Sequence, residues 1–308
     1  MSDNQELLNQ LANVHLGKAG DGSAVKPYVT PDDVDSSLLV AVPRYLNRTA
    51  YGIDDKAPNF IGADAWNAYE FSTLLTNGYP ISGWLKFTYS SFTPNIVESK
   101  SVKLYLNSFN MARLISSHDE IFKITSRIED DLSKATGGEV FVNLEIGDVE
   151  TVKPITSDFV SLEGYCNVEK MTFDQYNESS DILEVVPSIG RYERWRSHSL
   201  RSNCRVTNQP DWGDVYVHIK GEKSVTPESL LQYIVSMRKE NHFHEEIAEC
   251  IYTRLYNLLQ PEELLVACLY TRRGGIDINP VRASHEELLY TYAPIAQSHL
   301  FRTKTARQ

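Results

Sequence analysis

Apolar and polar positions alternate twice along this chain, and each alternating stretch gives way to a helical period. In the first, Leu85, Phe87 and Tyr89 alternate with Lys86 and Thr88, which predicts a strand with one buried face. Val102, Leu106 and Phe109 then fall on one face of a helix. Ser117 and Glu120 have capping-box spacing, and Ile121, Ile124, Ile128 and Leu132 form the stripe of a second helix. Gly137-Gly138 should end it, and Glu139 to Leu144 reads as a strand.

The second stretch runs in the same order. Val215, Val217 and Ile219 alternate with Asp214, Tyr216, His218 and Lys220. Thr226 and Pro227 supply a cap and a first-turn proline for a helix whose apolar face is Leu230, Leu231 and Ile234. His244-Glu245-Glu246-Ile247 opens another helix, matching His118-Asp119-Glu120-Ile121, and a strand begins near Leu264 after Pro261. Strands, two helices and strands, twice over, predict an α+β protein of two similar domains. Each would be an antiparallel sheet with a helix pair on one face. The join falls between Cys166 and Pro187, where Asn177 to Asp181 is loop-like, and we divide the chain into residues 1–175 and 176–308.

Composition narrows the classes. The 308 residues are 42% hydrophobic and 23% charged, as in a water-soluble globular protein. A net charge of -11 argues against holding nucleic acid through its phosphates, though not against a local basic cluster for a small anion. The arginines of Arg191 to Arg196 therefore read as solvated. No apolar run reaches membrane-spanning length, and the N-terminus is polar, so a cytoplasmic location is expected. The four cysteines are widely spaced without a CxxC pair, which makes neither a disulfide framework nor a metal site.

One cysteine stands apart. Cys250 lies on a helical stripe with Phe243, Ile247, Ile251, Leu255 and Leu258, and Cys268 lies in an apolar strand run. Cys204 instead sits in Ser202-Asn203-Cys204-Arg205, with Arg201 close by and Asp211 beyond a proline turn. Positive charge favours the attacking thiolate, and an aspartate can move protons, so Cys204 and Asp211 form a candidate nucleophile and acid. A free cysteine in a strand ahead of a turn is the plain alternative.

Three more segments could carry chemistry. Glu98 opens a helix where a carboxylate suits the dipole, and Lys100 and Lys103 share a face that could grip phosphate or simply be solvated. Phe243-His244-Glu245 starts the last long helix. There Glu245 could accept paired N–H donors from a planar heterocycle and His244 could shuttle a proton; helix capping is the alternative. Thr271-Arg272-Arg273-Gly274-Gly275 follows a strand and offers cationic forks beside open backbone N–H groups, or a mere loop. Neither dinucleotide nor P-loop glycine fingerprint occurs.

Together these segments resemble a known family. Glu98-Ser99-Lys100-Ser101-Val102-Lys103-Leu104-Tyr105-Leu106-Asn107-Ser108-Phe109 is similar to the signature of the NADPH-dependent 7-cyano-7-deazaguanine reductases, nitrile reductases of queuosine biosynthesis. Ser202-Asn203-Cys204 through Gln209-Pro210-Asp211-Trp212-Gly213 resembles their nucleophile loop, and Phe243-His244-Glu245 and Tyr270 through Pro280 resemble two further motifs. The likeness runs from about Leu38 to Pro280 and is to the long, two-module form, in which lysine signature and cysteine lie in different halves. The tail after Pro280 adds little.

The resemblance implies tandem tunnelling-fold modules, a homodimer with sites built from both halves, and NADPH as cofactor, with no metal. It implies a deazapurine nitrile reduced to an aminomethyl group at the cost of two NADPH, with no direct contact to nucleic acid or membrane. Cys204 would add to the nitrile as a covalent thioimide, Asp211 would protonate nitrogen, and His244 would assist. Val97, Glu98, Ser99, Phe243, His244 and Glu245 would hold the base; Ser99, Lys100, Arg273 and Gly274 would hold NADPH. The rivals are a cysteine nitrilase or amidohydrolase, which would finish with water, and a non-catalytic purine-binding protein of the same fold.

Overall fold

The computed structural model describes residues 31–153, 158–188, 192–305 and 308. The long strands are β1 (Ile61–Leu75), β2 (Pro80–Ser90), β3 (Val140–Ile146), β4 (Glu193–Cys204), β5 (Pro210–Lys220), β6 (Glu263–Tyr270) and β7 (Ile276–Ala283). The long helices are α1 (Ser99–Asn107), α2 (Ile121–Thr136), α3 (Pro227–Ser236) and α4 (His244–Leu259). The alternating stretches are strands and the 3.6-period stretches are helices, in the order expected. In one respect the halves differ: among the described residues β3 follows α2 alone in the sheet, whereas β6 and β7 both follow α4.

All the long strands join one antiparallel sheet in the order β4-β5-β6-β7-β1-β2-β3. Short parallel pairings add Asn241–His242 and Val160–Ser161 to β4, and Arg113–Ile115 to β1. The seam between the halves is β7 against β1, in register from Ile276 opposite Ala68 to Ala283 opposite Ile61.

Local chemistry explains the helix ends. Thr226 accepts the Ser229 N–H at 3.2 Å with Pro227 at the first position, as the sequence suggested. Gly137 closes α2 at φ 76°, a conformation that glycine adopts without a Cβ penalty. Ser117 makes no side-chain cap; Glu120 instead accepts from the N–H and hydroxyl of Ser116, both at 2.8 Å, and a 3-10 turn over His118–Glu120 leads into α2.

The long helices cover one side of the sheet through two apolar clusters. Trp66, Leu85, Phe87, Val102, Tyr105, Ile128 and Leu132 pack in the first half, and Val217, Leu230, Ile234, Ile247, Ile251 and Leu255 in the second. Cys250 and Cys268 are fully buried there, as expected, while Leu258 turns out to solvent. The tail is more than filler. Helical turns over Glu286–Thr291 and Ala293–Ala296 lay Leu288, Tyr292 and Ile295 on another apolar cluster with Tyr216, Leu265 and Val281.

Charge is also buried at the seam. Asp64 accepts from Arg44 at 2.5 Å and Arg282 at 2.7 Å, and Glu249 accepts from Arg48 at 2.8 Å and Arg282 at 2.9 Å. Every one of these charges has an opposite partner, which offsets the cost of removing it from water.

Candidate active site

Cys204 is the last residue of β4 and Asp211 lies near the start of β5. The hairpin between them is fastened by Cys204 N–H to the Gln209 carbonyl at 2.8 Å and Asn208 N–H to the Cys204 carbonyl at 2.9 Å. Asn208 takes φ 55°, a left-handed conformation that asparagine tolerates. The tight turn sets both candidate side chains at one cleft.

Two adjoining cavities meet there. The larger, about 250 Å³, is lined by Ser99, Lys100, Lys103, Cys204, Asp211, His244, Arg273 and Gly274, among others. The smaller, about 20 Å³, is lined by Trp66, Val97, Ser99, Cys204, Asp211, Phe243, His244 and Glu245, among others. Ser99, Cys204, Asp211, His244 and Ile278 belong to both. Segments far apart in sequence thus converge, with Lys100, Lys103 and Arg273 in the larger cavity and Glu245, beside Arg205 and His242, in the smaller.

The cation at the cysteine is not the one the sequence suggested. Lys100 Nζ lies 3.3 Å from Cys204 Sγ. Arg205 lines the smaller cavity but pairs with Glu246 at 2.9 Å, also reaching Asn47 and His242, and Arg201 donates to the Arg238 carbonyl. Neighbours in sequence point elsewhere, and α1 delivers the lysine from the other half of the chain.

Asp211 sits between two basic side chains, with His244 Nε2 at 3.4 Å on one oxygen and Arg273 on the other. Burial pushes its carboxyl up, but the hydrogen bond and charge of His244 and the charge of Arg273 outweigh that and hold it below the usual carboxylate range. Arg273 also donates to Gln209 at 2.9 Å. His244 stacks flat on Tyr270, with ring centroids 3.7 Å apart and planes 8° from parallel.

Glu245 is the opposite case. Burial, and then the charge of Asp64, push it up to about 8, so it is protonated at neutral pH in the empty pocket. Its Oε1 and the Nδ1 of His244 are buried without a hydrogen-bond partner. Such atoms call for an explanation, and a polar ligand in the smaller cavity would supply one.

Two sequence candidates lie outside the cavity walls. Glu98 is buried and caps α1, accepting the Ser101 N–H at 2.7 Å. Arg272 lies over the Tyr69 ring, 3.4 Å from its centroid. The sequence reading missed Trp66, which carried no signal beyond strand periodicity. It also missed Tyr270 and Ile278, which sit inside the Tyr270 to Pro280 motif it had marked. Among the described residues no group of three or more His, Cys, Asp or Glu side chains could hold a metal, and no helix is long and apolar enough to cross a membrane.

A cysteine between a basic cavity and a buried carboxylate suits covalent chemistry on a small planar ligand beside an anionic one, and comparison with known proteins names the class. Residues 30–144 match the family described as nitrile reductase, 7-cyano-7-deazaguanine-reductase N-term, and residues 210–288 match QueF-like protein. The class is the nitrile reductases. Proteins named NADPH-dependent 7-cyano-7-deazaguanine reductase are similar throughout. The one from Dechloromonas aromatica is 39% identical over 88% of this chain and 91% of its own. The one from Colwellia psychrerythraea is 36% identical over 96% and 98%. The chain belongs to the NADPH-dependent 7-cyano-7-deazaguanine reductase family. A solved structure of an archaeosine synthase QueF-Like in the apo form covers 31% of this chain and 95% of its own at 18% identity, with a TM-score of 0.29, a likeness too slight to argue from.

Proposed function

We propose that this protein reduces the nitrile of 7-cyano-7-deazaguanine to an aminomethyl group with two NADPH, through a covalent adduct on Cys204. The observation that carries the mechanism is the meeting of two unlike cavities at that sulfur. Nitriles are poor hydride acceptors, and adding sulfur makes the carbon a better one.

The residues fit both ligands. Val97, Ser99, Phe243 and Glu245 border the smaller cavity, and the Glu245 carboxylate suits the paired N–H donors of a guanine-like edge. Glu98 acts behind them by fixing the start of α1. Lys100, Lys103 and Arg273 suit phosphate, as does the open backbone at Gly274, whose φ is +56°. When bound there, NADPH supplies the two hydrides.

The proton balance of the addition closes inside the site. Asp211, ionised in the empty pocket, takes the thiol proton as the sulfur bonds to the nitrile carbon and a C–N π bond breaks. It then returns that proton to the nitrogen, giving the thioimide. His244, stacked on Tyr270, holds Asp211 in line and stays within reach to relay later protons. Phe243 and Trp66 help keep water from a thioimide that would otherwise hydrolyse.

We further infer tandem tunnelling-fold modules, residues 1–175 and 176–308, each contributing to the site. They would assemble as a homodimer in a reducing cytoplasm, acting on the free base with no direct contact to nucleic acid. The β3 edge and the partly covered β4 edge leave sheet ends that a second copy could meet. The test is the intact mass after incubation with the cyano base alone. An increase equal to the base, absent in Cys204→Ala, supports the mechanism. No adduct would reject the cysteine mechanism, and carboxylate formation without loss of absorbance once NADPH is added would reject reduction in favour of hydrolysis.

A further inference from the structure

β1 loses its register opposite β2 between Ala68 and Phe71, so Tyr69 and Glu70 leave the ladder. Bulges of this kind re-aim side chains, and often stand next to active sites. Here both freed residues meet the loop of Arg272 to Gly275. The Tyr69 N–H donates to the Gly275 carbonyl at 2.9 Å. The Tyr69 ring lies under the Arg272 guanidinium, 3.4 Å from its centre. Glu70 accepts from Lys103 at 2.9 Å, and Lys103 also donates to the Gly274 carbonyl. A Cβ at Gly275 would stand 2.3 Å from the Glu70 side chain, so the loop is seated directly on the bulge.

Tyr69 is itself held from behind. Its hydroxyl donates to buried Asp277 at 2.5 Å, and Asp277 also accepts from Asn67 at 2.7 Å and Asn279 at 2.6 Å. Lys304, from the tail, reaches Asp277 at 3.3 Å. Trp84 packs on the Tyr69 ring at 4.9 Å. A fully bonded buried carboxylate is a rigid anchor. The line runs from the sheet interior through Asp277 and Tyr69 to Arg272, and the next residue, Arg273, lines the larger cavity.

We propose that Tyr69 is a positioning residue for the Arg272–Gly275 loop, its ring seating Arg272 so that Arg273 and Gly274 are presented to the phosphates of the cofactor. This rests on the reading above that the larger cavity takes NADPH. Arg272 then serves as the loop's peg and not as a phosphate ligand. Ordering a loop before binding saves the cost of ordering it on binding, so loss of the peg weakens cofactor affinity first and reaches the chemistry only through the pairing of Arg273 with Asp211.

The experiment measures NADPH binding by its fluorescence in Tyr69→Leu and Tyr69→Phe, beside steady-state kinetics and adduct formation with the cyano base alone. Tyr69→Leu is expected to raise Kd and KM for NADPH about tenfold, the scale of one lost cation–π contact. Its kcat and its cofactor-free adduct rate should fall much less than NADPH affinity, because His244 still pairs with Asp211. Tyr69→Phe keeps the ring over Arg272 but loses the hydroxyl bond to Asp277, so it should bind NADPH more tightly than Tyr69→Leu and less tightly than the parent. Should Tyr69→Leu fail to fold, Tyr69→Met keeps the contact with Trp84 and carries the same expectation. Combining either with Arg272→Leu should add nothing further, since both remove one contact.

Unchanged NADPH binding in Tyr69→Leu or Tyr69→Met would overturn the proposal. So would additive losses in the double variant, which would put Arg272 on the cofactor itself, or an equal fall in adduct formation, which would make Tyr69 a general core residue. Absence of adduct in the parent protein would instead count against the cysteine mechanism, leaving the fluorescence result to decide the role of Tyr69.

Discussion

Asp211 and Glu245 face the same small space with opposite charge states, and each state has a measurable consequence. Asp211 is held ionised by His244 and Arg273. Asp211→Asn keeps the shape but can neither take nor return a proton, so kcat should fall by about 10²–10⁴. An unchanged rate would leave Asp211 a turn residue. Glu245 keeps its proton to about pH 8 when the pocket is empty. A ligand presenting two N–H donors favours the carboxylate, so binding at pH 7 should release a proton. Calorimetry of Cys204→Ala in buffers of different ionisation enthalpy would count that proton, and adding Glu245→Gln should abolish it. The same shift affects stability. The folded pKa lies above the unfolded one, so the stability that Glu245 contributes is full below about pH 4.5 and is lost as pH rises through about 8; Glu245→Gln should remove that part of the pH dependence in urea titrations. At this scale the sequence singled out Cys204 as a candidate by its polar context, because a packing cysteine takes apolar neighbours. It could not show Lys100 at 3.3 Å, since that contact joins distant segments. The adjacent Arg205, which sequence proximity favoured, is taken up by Glu246.

α1 shows what a short element does for the site. Its first turn carries Ser99 and Lys100 into the cleft, and Glu98 holds that turn by accepting the Ser101 N–H. Glu98→Ala should cost about 0.5–2 kcal/mol of stability, the usual value of a lost cap, in urea denaturation. Because Ser99 borders both cavities, KM for both ligands should rise as well. A change in the KM of the base alone, at full stability, would mean that Glu98 touches the base directly. Helices and strands were legible because Ile124, Ile128 and Leu132, or Val215 and Val217, repeat with the period of their element. Ends decided by local competition were not. Ser116, not Ser117, meets Glu120, and nothing in residue type separates the two serines. The bulge at Tyr69 was equally hidden, because a lost register depends on the partner strand.

The whole sheet is continuous across the two halves, which the internal repeat alone did not reveal. Repeated order implied two similar units, yet strand pairing between units has no signature in either. Among the described long strands β3 and β4 lie farthest apart in the sheet order, and a second copy of the chain is what we propose covers these edges. Light scattering at assay concentration should therefore give twice the chain mass, and a fully active particle of single mass would refute the dimer. The tail after Pro280, which looked uninformative, covers one apolar face and sends Lys304 to Asp277. The seam of β7 on β1 has a last consequence. Arg48 from one half pairs with Glu249 from the other, and Arg282 pairs back to Asp64, so each half alone would lose these cross-seam ion pairs and bare buried charge and an open strand edge. Neither piece can then be a stable body by itself, but each is a template for the other. Produced as two separate polypeptides broken near Asn177, they should co-purify and regain turnover only when mixed. The covalent link between the halves would then be dispensable, and the strand seam would be what makes them one enzyme.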